Sequence, residues 1–418
     1  MKKDILSELK SRKIFNNISS EEKFNSLNLK NGIGVYTGFD PTADSLHLGN
    51  YIQIITLQRF KQFSFIPYAI IGGITGMIGD PSFRKTERQF LEEDVLISNK
   101  LKIKKQLESF GLKVIDNYDF YKNWTLVDFL RKIGKLINVN YLLEKDSIKT
   151  RINNGLTYTE FTYQLFQAWD FKTLFKENNV KIQLGGSDQW GNITTGLEII
   201  RKVHGEEADA IGITANLLLN EQGEKFGKST GGGSLWLDSK KTSPYSIYQF
   251  LLNQSDKKVN ELLLWLTFIE VSEIEEIIKK HNEAKHLRYA QKTLAYEVVK
   301  NIHNKQTADK CEKISNILFS KDSNLILNLD LDEISLLKGF LPVFKVKAND
   351  TITNVLKNNN ILSSNREVRE FIGNSAILLD GKAIKSPEDK IVFENFDKNY
   401  AILRKGKKDF FILQKISK

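Results

Sequence analysis

The chain has 418 residues, enough for two to three domains at about 150 residues each. Hydrophobic residues make up 41% and charged residues 27%, the balance of a globular protein, which excludes a disordered or fibrous chain. Basic residues number 61 against 51 acidic ones, so the net charge is +10, which favours an anionic partner without naming it. Only 11 of the 61 are arginine, a lysine bias that reflects genome composition before function. The single cysteine, Cys311, leaves no internal disulfide and no cysteine-based zinc site. No metal ligand set is expected, and a reducing, cytoplasmic home fits.

The N-terminus carries Asp4 and Glu8 among its lysines and lacks an apolar core, so it does not read as a signal peptide. The first half alternates short apolar runs with helical spacing. Residues 33–37, 66–71, 180–184 and 208–213 read as buried strands, and 48–63 and 161–175 as helices. Residues 62–79 hold no charge over 18 positions, long enough to suggest a membrane span. Pro67, Gly72, Gly73, Gly76 and Gly79 argue instead for a strand and a glycine-rich turn. The alternation predicts an α/β fold, with a Rossmann-like, doubly wound parallel sheet over residues 1–235. In such sheets ligands bind at the carboxyl ends of the strands, where the strand order reverses. Residues 243–315 read as a separate α-helical domain and 316–349 as a connector with a short helix. Residues 350–418 read as a small α/β module. Its last 18 residues hold six basic side chains against one acidic one, half the net charge of the chain.

Three sites carry chemistry. The first runs from Tyr36 through Thr42 to His47-Leu48-Gly49-Asn50, where a strand turns into a helix. A helix N-terminus presents unpaired N–H groups and a positive dipole end, which suit a phosphate. His47 can add a hydrogen bond, and Gly49 would let a flat base approach the backbone. The glycines at 32 and 34 do not form the dinucleotide fingerprint, since Thr37 stands where its third glycine belongs. The second site is Lys225-Phe226-Gly227-Lys228-Ser229. Three residues separate Gly223 from Gly227, where a P-loop needs four. Two lysines on a glycine-rich loop suit the covering of a triphosphate as its charge redistributes. The third is a helix on which Tyr163, Gln167 and Asp170 share one face amid Phe161, Leu165, Phe166, Trp169 and Phe171. Such a stripe faces water or a buried polar ligand. Asp80, Gln183, Asp188 and Gln189 stand at nearby strand ends.

Taken together these segments identify a relative. HLGN at 47–50 resembles the HIGH signature, and KFGKS at 225–229 the KMSKS signature, of class I aminoacyl-tRNA synthetases. YTGFDPTADSLHLGN, GGITGMIGDPS, YTEFTYQLFQAWDF and GGSDQWGNITTGLE are similar, in order, to the amino-acid and ATP segments of the bacterial tyrosyl-tRNA synthetase family. The resemblance covers nearly the whole chain. It implies two-step, ATP-dependent attachment of L-tyrosine to tRNA through a tyrosyl-adenylate, with Mg²⁺ accompanying ATP as substrate. It also implies no tightly bound cofactor, no membrane, and a homodimer.

The resemblance further implies residue roles. Tyr36 and Asp170 would bind the substrate phenol. Tyr163, Gln167 and Asp80 would hold its ammonium with Gln183 in support, and Gln189 its carboxylate. Gly38, Asp40, His47, Gly49, Asn50, Gly186, Asp188, Lys228 and Ser229 would bind ATP, with Gly186 and Asp188 at the ribose. Thr42, His47, Lys225, Lys228, Arg84 and Arg88 would act on the phosphates. Residues 243–315 would serve the anticodon region, and 365–382 resemble a small ribosomal-type RNA-binding module. Arg201, Lys202, Arg366, Arg369, Arg404, Lys405, Lys407 and Lys408 would meet tRNA. Three positions depart from the family: Asn50 replaces the second histidine of HIGH, Thr37 a common cysteine, and Arg84 a common lysine.

Three other readings compete. A P-loop kinase with an RNA-binding tail fails on the glycine spacing. A non-catalytic RNA-binding relative fails on the intact His47, Lys225 and Lys228. A tryptophan-specific relative is opposed by Tyr36 with Asp170 and by the C-terminal module.

Overall fold

The computed structural model describes residues 4–80, 92–152, 155–227 and 233–416. By packing, the chain forms two units, one of residues 1–237 with 256–280 and one of 238–255 with 281–418.

The first unit is built on six strands, β1 (Phe15–Ile18), β2 (Gly34–Phe39), β3 (Ile66–Ile71), β4 (Lys113–Asp116), β5 (Val180–Gly186) and β6 (Ile211–Ala215). Their order is β1-β6-β5-β2-β3-β4. From β6 to β4 every neighbour is parallel, and the continuous apolar run of β3 suits a strand covered on both faces, whereas β5 carries Lys181 and Gln183. The four expected strands are present, although the last starts at Ile211 rather than at 208. Two strands were not legible. β1 is FNNI, polar at its centre, and it lies antiparallel on the edge, so the sheet is not wholly parallel. β4 is KVID, four residues with a charge at either end.

Four helices position the site residues and the segments packed around them: α1 (Leu48–Gln62), α2 (Tyr158–Glu177), α3 (Trp190–His204) and α4 (Val259–Leu266). The expected helices 48–63 and 161–175 correspond to α1 and α2. Thr157 and Glu160 cap α2 reciprocally, so the helix starts earlier than apolar spacing alone suggests. Tyr36, Ile70, Phe171, Val180 and Ile200 join sheet and helices in one core cluster. The uncharged run 62–79 becomes the end of α1, β3 and a short turn of helix at Thr75–Ile78. Among the described residues no helix is long and apolar enough to cross a membrane.

Residues 256–280 lie inside the stretch read as one helical domain, yet they pack within the first unit. Two buried arginines hold them. Arg59 of α1 donates through Nη2 to the carbonyls of Leu264 (3.2 Å), Trp265 (2.8 Å) and Thr267 (2.6 Å). Arg12 donates to Leu264 (3.1 Å) and Ile269 (2.7 Å) and pairs with Glu8. Both guanidinium groups thus satisfy the orphan carbonyls at the end of α4. Burial, and then the charge of Arg12, lowers the Arg59 pKa to about 9, so it stays cationic at pH 7.

The second unit holds the helices Pro244–Leu252, Tyr289–Ile302 and Lys305–Leu318. Its sheet runs β7 (Val343–Val346), β11 (Asp409–Lys415), β10 (Tyr400–Lys405), β8 (Ile377–Leu379) and β9 (Lys382–Ala383). β7 pairs parallel with β11, and the rest is antiparallel. Ile352, Leu356, Val368, Leu403 and Leu413 are central to its core.

Arg59→Ala should destabilise the first unit by about 3 kcal/mol, because it strips buried carbonyls of a charged donor. Urea unfolding of the full chain would show this. An unchanged midpoint would mean that Arg12 alone satisfies the end of α4.

Candidate active site

The strand order reverses between β2 and β5, and there the carboxyl ends open a crevice. Tyr36 and Gln183 face each other in register across that junction. A cavity of ≈ 370 Å³ fills it, and a second of ≈ 420 Å³ adjoins it, sharing His47, Asn50, Gln53, Asp188 and Lys225. Tyr36, Asp80, Tyr163, Gln167, Asp170, Gln183 and Gln189 all line the first cavity. So do Gly38, Asp40, Thr42, His47, Asn50, Asp188 and Lys225, whereas Gly49 and Gly186 line the second. Arg84, Arg88, Lys228 and Ser229 lie outside the described residues.

The floor of the first cavity is Asp170, 2% exposed. Asn117 donates to its Oδ2 at 2.9 Å and the Tyr121 hydroxyl to its Oδ1 at 2.7 Å. Burial drives the Asp170 pKa up to about 7. The two donors oppose that rise, and the charges of Asp40 and Asp116 add to it. The Tyr36 hydroxyl is buried with no hydrogen-bond partner among the described residues. Burial and the nearby Asp170 hold its pKa well above the ordinary phenol value. A donor and an acceptor are therefore set out of water in one recess.

Along the wall the polar groups form a chain. Gln189 donates to Asp80 at 2.9 Å, Asn192 donates to Gln167 and Gln189 at 3.1 Å each, and Tyr163 reaches Asp40 at 3.5 Å. Among the described lining residues four carboxylates, Asp40, Asp80, Asp170 and Asp188, face one ammonium, Lys225. That balance suits a cationic group in the first cavity.

At the mouth stands the start of α1. His47 is its N-cap rather than a residue of its first turn: Nδ1 accepts from the Asn50 N–H at 3.2 Å. A ring that accepts through Nδ1 carries its proton on Nε2, which can donate. The Asn50 side chain returns a bond to the His47 N–H at 3.1 Å, so this departure from HIGH completes a capping box. Lys225 pairs with Asp188 at 2.7 Å. The two signature segments touch through glycines. A Cβ on Gly227, at φ +108°, would stand 2.5 Å from the Gly49 nitrogen, so no larger residue fits there. At Gly38 a Cβ would meet nothing within 4 Å, which leaves room for a ligand.

Sequence reasoning missed Asn117, Tyr121 and Asn192. Asn117 is fully buried and also contacts Ile74 N (2.8 Å) and Thr75 Oγ1 (3.2 Å). It follows β4, so reading KVID as a strand would have drawn attention to the polar loop at its carboxyl end. Of the basic residues, Arg366, Arg369, Lys407 and Lys408 are exposed. Arg201 pairs with Glu198 and Glu206, and Lys202 with Glu198. Lys405 pairs with Asp409, and Arg404 is partly buried beside Ile402 and Phe410.

Residues 28–320 match the family described as tRNA synthetases class I (W and Y), and 333–413 match a tyrosine–tRNA ligase SYY-like C-terminal domain. The tyrosine–tRNA ligase of Mycoplasmopsis synoviae is 52% identical over 414 residues, 98% of each chain. That of Mycoplasmopsis agalactiae is 47% identical over 99% of this chain and 100% of its own. Among solved structures, a C-terminally truncated mitochondrial tyrosyl-tRNA synthetase of Aspergillus nidulans superposes with a TM-score of 0.67 at 29% identity. It covers 76% of this chain and 95% of that one.

Gly227→Ala should weaken ATP binding about tenfold, since a Cβ there must part the loop from the start of α1. Calorimetric titration with ATP would read it. An unchanged Kd would show that the contact is not needed for nucleotide binding.

Proposed function

The chain belongs to the class I tRNA synthetases of the tryptophan and tyrosine family, and from that premise we propose that its two adjoining cavities hold L-tyrosine against ATP. It is an aminoacyl-tRNA ligase, an enzyme that uses ATP to charge tRNA with tyrosine. One observation carries the pocket reading: Asp170 and Tyr36, each 2% exposed, both line the first cavity, and the Tyr36 hydroxyl has no partner among the described residues. The phenol of tyrosine would satisfy both. Phenylalanine would leave the Tyr36 hydroxyl unpaired and Asp170 with its two protein donors alone, which is costly for buried polar groups.

In this reading Tyr163, Gln167 and Asp80, with Gln183 in support, take the ammonium, and Gln189 takes the carboxylate. The acidic wall favours the first, and the Gln189 amide offers a donor to the second. ATP lies with its base over Gly49 and its ribose on Asp188 and Gly186, so binding must break the Lys225–Asp188 pair. Thr42, Lys225 and the protonated Nε2 of His47 face the phosphates, joined by Arg84, Arg88, Lys228 and Ser229. The cavity is otherwise anionic, so these cations are needed to admit a triphosphate, which arrives with Mg²⁺.

The tyrosine carboxylate then attacks the α-phosphorus, pyrophosphate leaves, and tyrosyl-adenylate remains. A terminal ribose hydroxyl of tRNA next attacks the acyl carbon, and AMP leaves. The first step needs no side-chain base, because the nucleophile is already an anion at pH 7. Its rate comes from alignment and from stabilising charge on the departing phosphates.

Arg366, Arg369, Lys407 and Lys408 are exposed cations suited to tRNA phosphates. Arg201, Lys202 and Lys405 would join them by exchanging their ion pairs, since such pairs at the surface hold weakly, and Arg404 would join them from its partly buried place. A homodimer belongs to the same proposal. Leu126 (74% exposed), Val127, Leu130, Val139 and Tyr158 (71%) leave apolar surface suited to a second copy. A cytoplasmic location completes it, since ATP and tRNA are at hand there.

The deciding experiment is exchange of labelled pyrophosphate into ATP with each of the twenty amino acids. Tyrosine alone should support it. Exchange with tryptophan would reassign the pocket, and exchange with none would leave an RNA-binding protein. Separately, replacing Arg366 and Arg369 by alanine should weaken tRNA binding and flatten its dependence on log salt by roughly 1–2. Tyrosine activation should be unaffected. An unaltered salt slope would take both arginines out of the interface.

A further inference from the structure

We propose that Tyr121 is a positioning residue for amino-acid selectivity, holding the Asp170 carboxylate ionised and turned toward the cavity. This role rests on the first cavity being the tyrosine site.

An ionised carboxylate has about four lone-pair sites on two oxygens. Asn117 occupies one on Oδ2 and the Tyr121 hydroxyl one on Oδ1. These contacts fix the plane of the carboxylate and leave sites free for a phenol. The Tyr121 ring is 6% exposed and locked edge-on between Trp124 (5.4 Å) and Phe166 (5.1 Å). Its hydroxyl therefore cannot swing away.

The hydroxyl has one hydrogen and two acceptors in reach, Asp170 Oδ1 at 2.7 Å and the Phe166 carbonyl at 3.0 Å. An ionised Asp170 takes the hydrogen, because the charged acceptor is the stronger one. If Asp170 took up a proton, it would donate to Tyr121, whose hydrogen would turn to Phe166. Asp170 would then offer a neutral carboxyl to the substrate, a weaker acceptor for a phenol.

The surroundings make this proton consequential. Tyr36 faces Asp170 from β2, Asp40 from the loop after β2, and Asp116 from the end of β4. Tyr121 faces it from the Tyr118–Tyr121 turn, and Tyr163 shares its helix. Burial, Asp40 and Asp116 favour the protonated form, and among the described residues the hydrogen bonds from Asn117 and Tyr121 oppose them. The opposing forces balance near pH 7. Tyrosine binding should therefore be full above that midpoint and fall as pH drops through it. Without the Tyr121 hydroxyl the midpoint moves up.

Pyrophosphate exchange with tyrosine and with phenylalanine, run across pH, tests this. In Tyr121→Phe the midpoint for tyrosine kcat/KM should rise by about one pH unit. At pH 7 the tyrosine KM should rise and tyrosine-over-phenylalanine selection should fall about fivefold, with the ATP KM unchanged. Trp124→Phe keeps an aromatic ring against Tyr121 and keeps the hydroxyl, so it should leave the midpoint in place. Tyr121→His retains a ring N–H and should recover part of the selection. It also carries the test if Tyr121→Phe does not fold, through a midpoint above that of the wild type. If the wild type activates tyrosine but neither Tyr121 variant moves midpoint or selection, the proposal is overturned and the function stands. Equal shifts in Trp124→Phe would overturn it as well. A wild type that does not activate tyrosine would refute the function instead.

Discussion

A carboxylate taken out of water must find its hydrogen bonds within the fold, and Asp170 finds two, from Asn117 and Tyr121. The requirement organises much of the surrounding structure. Asn117 reaches Asp170 because β4 ends beside β3, and it pins the turn after β3 through Ile74 and Thr75. Tyr121 is held by aromatic packing against the helix that carries Asp170. Elements distant in sequence thus converge to keep one charge usable. Asp170 and Tyr36 are each only 2% exposed, so the polar groups at that point are largely withdrawn from solvent.

The strand order explains why the cavity lies where it does. The chain winds from β2 to β3 and β4 on one side, then to β5 and β6 on the other, so Tyr36 and Gln183 meet at the seam. α1 ties the two ends of the first unit together. Its N-terminus places His47 at the cavity mouth, and near its C-terminus Arg59 holds residues 264–267. Gly49 and Gly227 add a backbone contact without side chains, which brings the two signature segments together.

Much of this was legible in advance. The strand at 66–71 was readable because strands buried on both faces are continuously apolar, and that at 180–184 because Val180, Ile182 and Leu184 alternate with Lys181 and Gln183. The polar stripe of Tyr163, Gln167 and Asp170 was readable because a helix repeats every 3.6 residues. β1 and β4 escaped because four residues with polar or charged positions carry no period. With β4 went Asn117 and Tyr121. The place of His47 as a cap depends on a local bond to Asn50 that spacing does not report. The packing of 256–280 with the first unit escaped for another reason: buried arginines look like surface ones until their acceptors are known.

The sequence by itself determined the alternation of strands and helices, the signature segments and the residue types of the pocket, since these depend on local periodicity and chemistry. Only the tertiary structure decided which of those residues share a cavity, which carboxylate is stripped of water and what its partners are. Burial and charge balance come from groups brought together across many tens of residues, and no spacing along the chain encodes that meeting.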